Sequence, residues 1–306
     1  MAKDFIVAIE LGSSKLTGIA GRKNPDGSIS ILAVAKEDSA SYIRKGVAYN
    51  IERTAQGLSN IVSKLKNTLK TEIEQVYVGI GGQSIHSVKN SIVKELPLDC
   101  IVSQDMVNEL MDTNRSMEYK DCEILDAITQ EYNVDGHYED DPVGIQARHL
   151  EGNFLNVLWR RSFYRNLNKS LDNSGIKVAE MYLAPLTMAD CVLTDAEKRA
   201  GCVLVDLGAD TTTVSVYYRN KLRHIAVLPL GGSNVTKDLE SLQIDEINAE
   251  AMKLKHASAL TNEKDIDADA TLPIGDGRTI LRRMFIRVVE ARMLEIVENV
   301  KYLVPH

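Results

Sequence analysis

The sequence predicts an α/β protein built from two related halves, the first interrupted by an insertion. Three observations carry this. Val203-Leu-Val-Asp-Leu-Gly-Ala-Asp-Thr-Thr-Thr-Val-Ser-Val-Tyr217 reads as a short apolar strand, a polar turn at Gly208 and a β-branched strand. Ile6-Val-Ala-Ile-Glu-Leu-Gly-Ser-Ser-Lys-Leu-Thr-Gly-Ile-Ala20 repeats it, with Glu10 on Asp206, Leu11 on Leu207, Gly12 on Gly208 and Thr17 on Thr213. Internal similarity of this kind exposes architecture. Thirdly, residues 6–80 run strand, strand, strand, helix, strand, and residues 83–163 then break that plan.

The chemistry of the repeated motif is that of a phosphate clamp. A tight glycine turn lets backbone N–H groups approach an anion closely, and concave N–H arrangements hold phosphates. The hydroxyls of Thr211 to Thr213 add donors, while the lone carboxylate before each turn suits Mg²⁺, which keeps its waters and leans on few carboxylates plus phosphates. Two such hairpins facing each other grip a polyphosphate from both sides. In this the chain resembles the actin-like ATPases, whose fold consists of duplicated ribonuclease-H-like domains.

Composition excludes several classes. The chain has 306 residues, enough for two domains with proper cores, and 44% hydrophobic and 26% charged residues, as in an ordinary globular protein. A net charge of -7 argues against nucleic-acid binding, which needs a basic face. Cys100, Cys122, Cys191 and Cys202 form no C-x-x-C pair, so neither a zinc site nor a disulfide framework is indicated and a reducing, cytoplasmic setting fits. No secretory leader and no apolar run of membrane-spanning length is visible.

Taken in order, Asn24-Pro-Asp-Gly27 is a turn and Ile29 to Val34 a third strand. A helix over 51–71 carries Leu58, Ile61, Val62, Leu65 and Leu69 on one face and Lys64, Lys66 and Lys70 on a solvated one. A strand over 75–80 ends in Gly81-Gly82. The interrupting stretch reads as a strand over 86–94, a helix over 103–118 with Ser103 as N-cap, and strands over 124–134 and 145–158. Ile124-Leu-Asp-Ala-Ile-Thr-Gln-Glu-Tyr-Asn-Val-Asp-Gly136, followed by Asp141-Pro-Val-Gly-Ile-Gln-Ala-Arg-His-Leu-Glu151, resembles the inserted subdomain of FtsA, the bacterial actin-like cell-division protein. Asp126 and Thr129 stand where that family carries His and Pro. A helix over 164–173, a break at Ser174-Gly175, a strand over 178–183, a connecting helix over 183–193 and a hinge over 194–201 lead into the second half. Met188 and Cys191 read as packing residues.

After the second clamp, Pro229-Leu-Gly-Gly-Ser-Asn-Val-Thr236 opens a helix, whose N-terminus offers free N–H groups and a positive dipole end. The resemblance divides the chain into a first actin-like half (1–82 and 164–195), the insert (83–163), the start of a second half (196–239) and a partner-binding helical and hairpin subdomain (240–306). It implies nucleotide contacts at Gly12, Ser13, Ser14 and Lys15, at Gly208, Ala209, Asp210, Thr211 and Thr212, and at Gly231, Gly232 and Ser233. Glu250 and Lys253, three apart on one helix face, are placed at the adenosine. Mg²⁺ falls to Asp206 with help from Glu10, held through water; family members have Asp at the position of Glu10, so the longer Glu10 implies slow ATP hydrolysis at best. On the final helix (279–303), Arg282, Arg283 and Arg287 are assigned to the FtsZ C-terminal peptide, among a stripe that includes Arg278 and Arg292.

The implied function is that of an ATP-binding cell-division protein that polymerises and links FtsZ filaments to the cytoplasmic membrane at the septum, alongside other divisome proteins. The insert is assigned one side of the filament contact and is expected to be removable, leaving a folded monomer. Family members continue past Tyr302-Leu-Val-Pro-His306 with a glycine-rich segment over the adenine, a linker and an amphipathic membrane helix; without these, weak ATP binding and no liposome binding are expected. The competing readings are an actin-fold phosphotransferase of the sugar or acetate kinase type and a pilus-assembly ATPase.

Overall fold

The computed structural model describes residues 5–261, 270–275 and 277–304. The remaining positions of the expected 1–82 and 240–306 segments lie outside the described residues. The chain begins with a meander of β1 (Ile6–Leu11), β2 (Lys15–Lys23) and β3 (Ile29–Asp38). The short β4 (Ile43–Arg44) and β5 (Val47–Ala48), α1 (Ile51–Leu69) and β6 (Val76–Ile80) follow. The inserted region holds β7 (His86–Glu95), α2 (Gln104–Arg115), β8 (Cys122–Val134), β9 (His137–Glu139) and β10 (His149–Arg160). Then come α3 (Arg161–Ser174), β11 (Val178–Leu183), α4 (Ala184–Val192) and α5 (Asp195–Ala200). The last stretch is β12 (Cys202–Leu207), β13 (Thr212–Tyr218), β14 (Lys221–Leu228), α6 (Gly232–Glu240), α7 (Glu246–His256), β15 (Thr271–Gly275), β16 (Arg278–Leu281) and α8 (Arg282–Leu303).

The first sheet has the order β11-β6-β1-β2-β3, antiparallel from β1 to β3 and parallel from β1 through β6 to β11. Parallel neighbours need crossovers, and α1 supplies the one into β6. Asn50 caps α1 by accepting the Arg53 N–H (3.0 Å), and Lys70 ends it in the left-handed conformation. The helix buries Leu58, Ile61 and Leu65 over the sheet beside Leu167 and Leu171 of α3. Each such side chain contributes roughly 1.5–3 kcal/mol.

The duplication holds at the level of register. Glu10 pairs with Thr17 and Leu11 with Leu16 across the first hairpin; Asp206 pairs with Thr213 and Leu207 with Thr212 across the second. The neighbours differ. β1 is flanked by β6 and hides Val7, Ile9 and Leu11 at 2%, 1% and 7% exposure, whereas β12 is an edge strand among the described residues and leaves Val203, Val205 and Leu207 at 41%, 37% and 53%.

The second sheet runs β12-β13-β14-β7-β10-β8-β9, so the inserted strands extend the second half's meander through one pairing, Ala226 with His86. The insert has a cluster of its own around Leu110, Leu150 and Phe154, but Leu155, Val157 and Trp159 of β10 belong to the main core with Leu16 and Ile80. Residues 83–163 are therefore not removable without opening that core, which corrects the expectation of a folded monomer after their deletion. β10 also starts at His149 and not at 145, because Ile145 and Ala147 bond with the backbone of Val102 and Cys100 in a side loop. A further cluster joins Val235 and Leu239 of α6 to Met252, Leu272, Phe285 and Val289. Residues 194–201, read as a hinge, contain α5, whose Thr194 and Glu197 cap each other reciprocally. The Thr-x-x-Glu spacing carried that signal.

α1 sits so close to β2 that a Cβ built on Gly18 lies 2.4 Å from Ile61 Cγ2 and 3.0 Å from Leu65 Cδ1. Gly18→Ala should therefore destabilise the fold by about 1–3 kcal/mol through overpacking. Chemical denaturation checks this, and an unchanged midpoint would mean that α1 can shift outward freely.

Candidate functional site

Both clamp turns line one cleft of about 220 Å³, with Glu10, Gly12, Ser13, Ser14 and Lys15 on one side and Asp206, Gly208, Ala209, Thr211 and Thr213 on the other. The floor adds Gly46, Gly79, Gly81, Gly82, Ala184, Pro185 and Met188. Met188, read from sequence as packing, thus faces the cleft; Cys191 is exposed.

The first turn is bolted to the loop after β3. Ser39 Oγ donates to Gly12 O (2.6 Å), the Ser39 N–H to Ser14 O (3.2 Å), and Ser13 Oγ accepts the Gly46 N–H (2.8 Å). Gly46 and Gly82 touch backbone to backbone: a Cβ on Gly46 would stand 2.4 Å from Gly82 Cα. The second turn is closed by the Gly208 N–H on Thr211 O (2.8 Å). Among the described residues, the N–H groups of Ser13, Ser14, Ala209 and Asp210 donate to no other protein group. Amides of this kind, two from each side, are what an anion in the cleft requires.

Four sets of expected contacts are otherwise engaged. At the start of α6 the free N–H groups anticipated at Gly232 and Ser233 are spent on Gly208 O (2.9 Å) and Ala209 O (2.7 Å), and the Gly231 N–H on Asn234 Oδ1 (2.9 Å). The close approach needs glycine, since a Cβ on Gly231 would lie 2.5 Å from Ala209 O. Gly231 to Ser233 therefore brace the second turn from behind. Thr212 is fully buried, with its hydroxyl donated to Leu230 O (2.9 Å). Asp210 turns away from the cleft lining, and its Oδ2 accepts the Lys45 N–H (3.0 Å). Glu250 and Lys253 meet each other (2.6 Å), and Lys253 also donates to Gly232 O (3.0 Å) and Thr236 Oγ1 (2.9 Å). They adjoin the brace and do not line the phosphate end.

Glu10 and Asp206 face the same cleft. Burial pushes the Glu10 carboxyl above its ordinary range, the Asp206 charge pushes it further, and Lys15 partly offsets both; burial alone raises Asp206. No cluster of three or more His, Cys, Asp or Glu occurs among the described residues. A divalent cation here would depend on these two carboxylates with water and ligand oxygens completing its shell, a donor set that fits Mg²⁺.

The arginines of α8 separate. Arg292 holds Asp238 of α6 with two bonds (2.6 and 2.9 Å) and is structural. Arg283 and Arg287 are exposed one turn apart, with Arg282 half-buried at the helix start.

A profile described as cell division protein FtsA matches residues 203–284, and one described as the SHS2 domain inserted in FtsA matches residues 82–158. Both profiles come from the FtsA family, to which the chain is similar. The cell division protein FtsA of Porphyromonas gingivalis is 33% identical over 298 residues, covering 95% of this chain and 62% of that protein. Those of Neisseria meningitidis and Escherichia coli K12 are 28% and 27% identical, and this chain spans 72% of each. Among solved structures, a PilM-PilN type IV pilus biogenesis complex superposes with a TM-score of 0.62 at 13% identity, covering 97% of this chain and 75% of that one. MreB5 of Spiroplasma citri bound to ADP gives 0.55 at 10% identity, covering 98% and 78%. The fold is that of the actin-like ATPases, with the family's inserted subdomain at 82–158.

A raised carboxyl pKa means the folded protein holds that proton more tightly than the unfolded chain. Glu10 therefore favours the ligand-free fold at low pH and disfavours it as pH rises through the raised value. Glu10→Gln should make the ligand-free protein more stable at neutral pH, and the gain should vanish below the ordinary value of 4.5. Thermal denaturation at several pH values tests this; a gain independent of pH would mean the charge is not its source.

Proposed function

We propose that the cleft takes Mg-ATP and that the protein is a nucleotide-dependent cell-division adaptor, polymerising and linking FtsZ filaments to the cytoplasmic face of the membrane at the septum. The observation that carries this is the opposition of two clamp turns in one register, with uncommitted amides on both sides and Glu10 and Asp206 between them. In this reading the amides of Ser13, Ser14, Ala209 and Asp210 orient the phosphates, and Glu10 and Asp206 hold Mg²⁺ through water. The metal, when bound, neutralises phosphate charge. Gly231 to Ser233, Glu250 and Lys253 position the second turn and border the nucleoside. Hydrolysis is at most slow.

Among the described residues the carboxylates lining the cleft are Glu10 and Asp206. A phosphotransferase would need another as base for its acceptor hydroxyl, so the lining favours an adaptor over a kinase. Arg283 and Arg287, exposed on one face of α8 with Arg282 beside them, supply the charge for an acidic FtsZ C-terminal peptide. Self-association through the insert is supported by exposed apolar side chains there, Leu98 and Ile101 among them. No helix among the described residues is long and apolar enough to cross a membrane.

Asp206→Ala should weaken Mg-ATP binding by about tenfold or more, the loss of a charged contact of roughly 1.5–3 kcal/mol. Calorimetric titration measures it, and unchanged affinity would remove Asp206 from the metal. Arg283→Glu with Arg287→Glu should abolish capture by an FtsZ C-terminal peptide while leaving ATP binding intact. Leu98→Asp with Ile101→Asp should prevent filaments without unfolding the chain; filaments seen unchanged by electron microscopy would exclude this face of the insert.

A further inference from the structure

Asp210 occupies the apex of the second clamp turn, where a carboxylate is an awkward neighbour for a phosphate. Its Oδ2 instead turns away from the cleft lining and accepts the Lys45 N–H (3.0 Å), a partner 165 residues away in the first half. Lys45 and Gly46 both have positive φ, 51° and 73°, and their consecutive N–H groups serve opposite sides: Gly46 donates to Ser13 Oγ in the first turn, Lys45 to Asp210 in the second. The dipeptide itself is fixed in the first half. Lys45 O accepts the Gln83 N–H (2.8 Å), and Gly46 abuts Gly82. Among the described residues, no other hydrogen bond joins one clamp turn to the opposite half.

We infer that Asp210 is a latch. Its carboxylate hangs the second turn on the Lys45-Gly46 post, holds the cleft closed by a contact between the two halves, and thereby sets how fast a nucleotide leaves. The first turn is hung on the same post through Ser13, so among the described residues the Asp210 bond is the hydrogen bond that ties the second turn to it. An anion-to-amide bond suits the task, being stronger than a neutral one yet made by a single half-buried side chain. The gating part rests on the nucleotide reading of the cleft; the latch itself does not.

Amide hydrogen exchange reads the latch without nucleotide. In Asp210→Ala the Lys45 amide should exchange about tenfold faster or more, as for loss of one charge-assisted hydrogen bond. The Gln83 amide, bound to the other side of the same dipeptide, should stay protected and certify the fold. Asp210→Asn keeps an oxygen acceptor and should restore most of the protection. Stopped-flow release of a fluorescent adenine nucleotide in the presence of Mg²⁺ should accelerate by a similar factor in the alanine variant, and much less in the asparagine variant. Equal Lys45 exchange in the wild type and Asp210→Ala would overturn the latch. Faster exchange with unchanged release would overturn its control of the nucleotide. Absence of binding in every variant would refute the nucleotide reading and the gating with it, while the exchange data would still decide whether the latch exists.

Discussion

Two carboxylates that point into one cleft are the constraint on which the site depends. Glu10 and Asp206 reach it on strands of matching register; burial raises the proton affinity of both, and the Asp206 charge adds to that of Glu10. Such a pair is poorly neutralised by the protein alone, with Lys15 as the partial offset. The same cleft presents backbone N–H groups from both turns. Negative side chains beside uncommitted donors make a place for a cation and an anion together, and neither half of that arrangement is comfortable empty.

Close backbone contact keeps the two turns in position. Gly46 against Gly82 fixes the first, and Gly231 against Ala209 fixes the second, at distances where any Cβ would collide. The price of this closeness is that the amides at the start of α6 are consumed in bracing, which leaves the turns' own N–H groups as the open donors. Glu250 and Lys253 extend the brace, their charges satisfied by each other and by Thr236 and Gly232.

The insert is more deeply joined than its separate cluster indicates. β10 presents Phe154 to the insert's own core and Trp159 to the main one, and β7 meets β14 edge to edge. Gln130 and Arg223 add a polar seam, with Gln130 Nε2 on Leu222 O (3.1 Å) and Arg223 on Gln130 Oε1 (3.0 Å). A displacement of the insert must therefore be felt at β14, which leads directly into the α6 brace.

The sequence by itself determined the duplication, the two acids, the glycine turns and most elements, because hydrophobic period and turn chemistry are local. It also placed Ser103 at a helix start, where capping chemistry is legible. What it left undecided was the fate of each group, which depends on neighbours distant in the chain. Asp210 and Thr212 look like phosphate ligands until Lys45 and Leu230 are found beside them. Val203, Val205 and Leu207 carry the same alternation as Val7, Ile9 and Leu11, yet only the latter are buried, in the cluster that includes Leu58, Ile61 and Leu65 of α1, which the β12 residues do not join. Pattern sets which face of a strand is apolar; only tertiary packing sets what covers it, and which donors remain free.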